Sequence, residues 1–113
     1  MDEESRQQLR QMLEQQREAL LAELADDEYV PGHNLGLGNH MADDGTEAFE
    51  QATHVSLQRH HQVLLERIEE ALHRMETGTY GLCERCGRQI EVGRLKALPY
   101  ATLCIECQIE IER

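Results

Sequence analysis

A chain of 113 residues with a formal net charge of −11, no Trp and one Phe has room for one domain with a modest core, not for a large globular interior. No apolar run approaches the roughly 18 residues that would span a bilayer, and the opening Met-Asp-Glu-Glu-Ser lacks the basic and apolar regions of a secretory signal. The expected location is therefore the cytoplasm. Residues 1–82 hold 17 Asp and Glu against six Arg, whereas residues 83–113 hold five charges of each sign. A surface so acidic repels phosphate backbones, which counts against direct nucleic-acid binding; a partner recognised through charge should be basic.

Residues 3–27 read as a helix, with Leu9, Leu13, Leu20 and Leu24 on one side and no Gly or Pro to interrupt it. Asp2, Glu3 and Glu4 suit the positive end of its dipole. The stretch 28–42 is punctuated by Pro31, Gly32, Gly36 and Gly38 and reads as a loop. A second helix is expected from about Asp44 to Thr77, opened by a capping-box-like Asp44-Gly45-Thr46-Glu47 and stopped by Gly78. Its seam, Leu57, His61, Leu64, Ile68, Ala71 and Met75, alternates steps of four and three, which is heptad spacing. Two amphipathic helices joined by one loop should cover each other as an antiparallel hairpin, because a helix of this kind is held mainly by packing its apolar face.

All four cysteines fall in the last 31 residues, as Cys83-x2-Cys86 and Cys104-x2-Cys107 separated by 17 residues. Two such pairs at this distance fit a tetrahedral four-cysteine zinc site, and four protein ligands leave no position for water, so the metal is expected to be structural. Redox thiols and a rubredoxin-like iron site are chemically possible with the same quartet, but the paired spacing favours zinc. Gly87, directly after Cys86, suits a knuckle that needs positive φ. The 17 intervening residues suit a short β-hairpin and return, with Ile90, Val92, Leu95, Leu98 and Leu103 as a small core around the metal. The resulting fold class is mainly α: a long antiparallel two-helix coiled-coil hairpin over 1–79 and a small four-cysteine zinc-ribbon module over 80–113. Within the hairpin, helices over about 3–27 and 44–77 flank a tip loop over about 28–43.

The hairpin, the entry Tyr80-Gly81-Leu82-Cys83-Glu84-Arg85-Cys86-Gly87 and the run Arg94-Leu95-Lys96-Ala97-Leu98-Pro99 before Leu103-Cys104-Ile105-Glu106-Cys107 together resemble the DksA/TraR family of bacterial transcription regulators. The resemblance covers about residues 39–108. It implies that the protein binds RNA polymerase, inserts its hairpin tip into the secondary channel and alters initiation without binding DNA. The matching tip is Asn39-His40-Met41-Ala42-Asp43-Asp44-Gly45-Thr46-Glu47. Asp43 falls where better-known members carry the second Asp of an Asp-x-x-Asp-x-Ala motif, while His40 and Gly45 replace the first Asp and the Ala, as in a variant tip of another branch. Asp43, followed by Asp44, Glu47 and His40, is thus the expected partner-contacting set. Some members bind the alarmone ppGpp through basic residues near the zinc module; Leu98 and Gln108 stand at the corresponding positions, which argues against that site. Well-studied members also extend past the last cysteine into a further helix, where this chain has only Gln108 to Arg113.

Seven acidic residues and no Lys or Arg lie between Asp26 and Glu50, which suits insertion into a basic channel; the bland alternative is a solvated loop with Asp44 as a helix cap. Asp43 and Asp44 could share a Mg2+ only with a partner's carboxylates. His54, His60 and His61 are expected to pack or face solvent on the second helix, His33 and His40 lie in the loop, and no nucleophile–base arrangement suggests an enzyme. Two rival readings stay open. The first is a zinc-stabilised coiled-coil adaptor that pairs with another protein, or with itself, and is unrelated to transcription; the chain itself is expected as a monomer, with a homodimer as the alternative. The second is a nucleic-acid-binding ribbon using Arg85, Arg88, Arg94 and Lys96.

Overall fold

The structure, a computed structural model, describes residues 1–26 and 43–113, except for the side chains of 26 and 43–47. Among the described residues four helices follow in order: α1 (Glu3–Asp26), α2 (Asp43–Thr77), α3 (Val92–Ala97) and α4 (Ile105–Glu112). Among the described residues the β content is a single antiparallel bridge between Leu82 and Gln89. The 35 residues of α2 make a rod about 52 Å long at about 1.5 Å per residue, and the fold extends 58 × 33 × 20 Å.

Each long helix is closed by local chemistry. The Ser5 N–H donates to Asp2 Oδ1 at 3.0 Å, so Asp2 caps α1; hydrogen bonding to Ser5 holds its carboxyl below the usual range. At the far end of α2, Gly78 takes φ 82° and the Thr79 N–H donates back to the Arg74 carbonyl at 2.9 Å. That is the left-handed stop in which glycine avoids a Cβ penalty. α2 begins at Asp43, which puts Asp44 inside the first turn rather than at the cap.

α1 and α2 pack antiparallel. From one end to the other, the Arg6 guanidinium donates to the Met75 carbonyl at 2.6 Å, Arg17 pairs with Glu69 at 3.7 Å, and His61 Nε2 lies 3.3 Å from Glu23 Oε2. The leucines expected to face inward on α1 do so: Leu9 and Leu13 are fully buried, and Leu20 and Leu24 half-buried. Opposite them Ile68, Ala71 and Met75 are buried. Each large side chain so buried contributes about 1.5–3 kcal/mol. Burial fades along α2 away from Gly78: Leu64 and His61 are half-buried, and Leu57 is 51% exposed. α1 ends at Asp26, close beyond Glu23, so the first four or so turns of α2 run past its last described residue.

The core does not stop at the base of the hairpin. Leu9, Leu13, Ile68, Ala71 and Met75 form one cluster with Cys83, Ile90, Leu95 and Cys107. The cysteine-bearing segment is therefore built onto the hairpin's own interior.

Candidate metal centre

The quartet is assembled by three pieces of chain. Cys83 follows a tight turn in which Gly81 has φ 84°. That left-handed conformation requires glycine there; a Cβ would stand 2.9 Å from Met1 Cε, the far end of a side chain that can shift, and 3.6 Å from Leu95 Cδ1. The Cys83 N–H donates to Arg88 O at 2.8 Å and the Gly87 N–H to Cys83 O at 3.0 Å; with Gly87 at φ 77°, they close a knuckle that turns Cys86 back beside Cys83. The second pair is carried by α4: Cys104 is its N-cap residue and Cys107 lies in its first turn. The Glu84 N–H donates to Thr102 O at 2.8 Å, stitching the two halves together.

The four Sγ atoms lie within 4.8 Å of one another, and those of Cys86 and Cys104 are 3.7 Å apart. Zinc–sulfur bonds of about 2.3 Å imply tetrahedral edges of about 3.8 Å, so one zinc ion fits. None of the four is in a disulfide. Burial pushes the Cys83 thiol up, but backbone N–H groups of Cys86, Cys104 and Arg85, with the Cys86 side chain, outweigh it and bring its pKa down to about 6. Burial, reinforced by the three neighbouring sulfurs, pushes Cys107 up to about 12. Four thiolates cannot be packed this closely without a cation to balance them. The fit is therefore to one structural Zn2+, which Cys83, Cys86, Cys104 and Cys107 would hold. A closed four-sulfur shell offers no open coordination position.

Support around the quartet comes from residues to which the sequence alone assigns no supporting role. The Tyr80 hydroxyl donates to Pro99 O at 2.8 Å and Arg94 Nε to Leu103 O at 3.0 Å. Arg74 of α2 is paired with Glu84 in the knuckle. Arg85 binds Glu110 at 2.9 Å and Arg88 binds Glu106 at 3.2 Å, joining the knuckle to α4. Of the local basic patch expected from the sequence, Arg85 and Arg88 are thus paired with acids on α4, and Arg94 is turned to the Leu103 carbonyl. Glu106 and Glu110 stand one turn apart on that helix, a signal visible only once α4 is recognised. Of the five residues expected around the metal, Ile90 and Leu95 are buried, and Val92 and Leu103 half-buried. Leu98 instead faces outward at 39% exposure, lining an open cleft of about 380 Å3 with Arg88, Arg94 and Ile105.

The other expected site lies elsewhere. Asp43 is the first residue of α2, at the end remote from the cysteines, with Asp44 in the same turn and Glu47 one turn on. Their side chains, and the whole of His40, lie outside what the structure describes. Among the described residues no helix is long and apolar enough to cross a membrane.

Fold and quartet together define a helical hairpin stapled at its base by a four-cysteine zinc finger. Comparison with known proteins agrees: residues 78–113 match the prokaryotic dksA/traR C4-type zinc finger. The transcription factor DksA2 from Pseudomonas aeruginosa has a solved structure that superposes with a TM-score of 0.80 at 32% identity, over 99% of this chain and 86% of that one. General stress protein 16O of Bacillus subtilis is 42% identical over 77 residues, 68% of this chain and 47% of its own length. The RNA polymerase-binding transcription factor DksA of Caulobacter vibrioides is 36% identical over 73 residues, 65% of this chain and 51% of its own. The chain belongs to the DksA/TraR family. It spans about half the length of these two curated relatives.

Proposed function

We propose that the chain is a non-enzymatic transcription regulator that binds RNA polymerase directly, inserting the acidic end of its hairpin into the secondary channel to modulate initiation without binding DNA. The observation that carries this reading is the likeness of the whole chain to a DksA-type structure; a relative named as RNA polymerase-binding lends it a partner. In this reading residues 1–79 are the probing arm, residues 80–113 its anchored base, and Cys83, Cys86, Cys104 and Cys107 the zinc ligands. The zinc contributes folding energy and aims the arm.

Asp43, Asp44, Glu47 and His40 make the contacting end. Three carboxylates in the first turns of α2 suit the positive end of the helix dipole and would complement basic groups of a channel wall. The pairing of Arg85 and Arg88 with α4 weakens the nucleic-acid reading, because it offsets two of the four positive charges that reading needs. The protein acts as a monomer in the cytoplasm. The test is binding to the host's core polymerase together with promoter-complex lifetime: Asp43→Ala should keep binding and lose the effect on lifetime. A wild-type protein that neither binds polymerase nor changes lifetimes sinks the proposal.

A further inference from the structure

The seam of α2 that faces α1 runs from Met75 back through Ala71, Ile68, Leu64, His61 and Leu57, and the same alternation of three and four continues to His54 and Glu50. In the first turns of the helix the inward side is therefore polar. The apolar residues there sit on the other side: Ala48, Phe49, Ala52 and Val55 recur at i, i+1, i+4 and i+7, a spacing that gathers them on one face. At about 100° per residue that face is centred roughly opposite Ile68. All four are exposed; Phe49, the chain's one Phe, is 73% exposed and Val55 39%. A free-standing hairpin gains nothing from this pattern, which places the chain's one Phe in water.

The size of the strip limits what can cover it. Its side chains expose on the order of 300 Å2, well short of the about 800 Å2 per partner of a stable interface. Alone it cannot hold a second copy of the chain. It can add to a contact that already exists on the same helix. Asp43, Asp44, Glu47 and Glu50 precede or flank it, and no Lys or Arg occurs from residue 43 to residue 58. Charge complementarity thus asks for a surface that is apolar where it meets Phe49 and basic around it.

Resting on the function proposed above, we infer that Ala48, Phe49, Ala52 and Val55 form a docking strip that packs against an apolar, basic-rimmed wall of the polymerase beside the site taken by the acidic end. Phe49 is its anchor, and the two parts of α2 divide the work. The strip supplies affinity and fixes how far and at what rotation the helix enters, while Asp43 supplies the effect on initiation.

The experiment compares the full-length wild type with Phe49→Ser, Val55→Ser, Asp43→Ala and Leu21→Ser, the last an exposed leucine of α1 off the strip. It reads the dissociation constant for core RNA polymerase, sedimentation, and helicity by circular dichroism. Phe49→Ser should weaken binding about tenfold or more and Val55→Ser less, with helicity unchanged, while Leu21→Ser binds as wild type and Asp43→Ala loses far less affinity than Phe49→Ser. Wild-type affinity in Phe49→Ser overturns the strip and leaves the proposed function standing. So does a wild-type dimer that Phe49→Ser dissolves without any loss of polymerase binding. Absence of polymerase binding by the wild type overturns both.

Discussion

At the base of the hairpin the inward positions of α2 are Ile68, Ala71 and Met75, all buried, and they share their interior with Leu9, Leu13 and two of the four cysteines. Towards the other end the same seam becomes His61, Leu57, His54 and Glu50, half-buried or exposed, and His61 Nδ1 is buried with no hydrogen-bond partner among the described residues. One helix thus carries two regimes. Near the cysteines its side chains are spent on packing, where the loss of one methylene is felt. Towards Asp43 they are polar inward and apolar outward, a poor way to be stable and a good way to meet something else. Local stability should fall along α2 accordingly.

The largest expected effect comes from removing the metal. Chelation, or Cys83→Ser, should unfold the base rather than the finger alone, because Cys83 and Cys107 lie in the same cluster as Leu9 and Met75. The loss should be several kcal/mol, read as a large drop in Tm and as lost hydrogen-exchange protection in α1. A base that keeps its protection without metal would break the comparison. Next comes Leu13→Ala, at a fully buried position, which should cost about 2–5 kcal/mol by denaturant melting. The same change at half-buried Leu24 should cost well under half as much.

Tyr80→Phe should cost about 1 kcal/mol by removing the bond to Pro99 O, and the tyrosine also gives the base an alkaline limit. Burial raises its pKa to about 12 from an ordinary value of 10.0. The folded state therefore favours the neutral phenol. That contribution is complete below about pH 10 and is lost as pH rises towards 12; a pH series on wild type and Tyr80→Phe should converge there. The smallest expected effect on stability is that of Asp43→Ala, within about 0.5 kcal/mol, although it is the change expected to abolish the effect on transcription.

The periodicities of α1 and α2 and the cysteine spacing were legible because each rests on a local rule: 3.6-residue packing, and two thiolates per turn around one ion. What escaped reading depends on tertiary context. The stretch between the cysteine pairs reads as a β-hairpin, yet it contributes one bridge, Leu82 to Gln89, and a six-residue helix, α3. A helix that short does not stand without packing, and Leu95 provides it by burying completely. α4 was hidden differently. Ile105, Cys107, Ile109 and Ile111 alternate like a strand, and only six residues follow the last cysteine, so the helix Ile105–Glu112 goes unannounced. Hydrophobicity alone points Leu98 inward, whereas the buried residue at that corner is Pro99, whose carbonyl receives Tyr80. The expected tip residues stand at the limit of what the structure describes, with Asp43 fixed as the start of α2.

The pinning of α2 at its last turn has a mechanical side. The Met75 carbonyl is held by Arg6 and Arg74 is held by Glu84 of the knuckle, so the helix is clamped where it meets the finger and, with α1 alongside it as far as Glu23, reaches about 52 Å from there. A rotation of about 5° at the clamp would swing Asp43 through about 4.5 Å, more than the length of a hydrogen bond. Precision at the far end is therefore set by stiffness at the near one. Substitutions around Met75, Arg6 or Glu84 should spoil the aim of an acidic group they never touch.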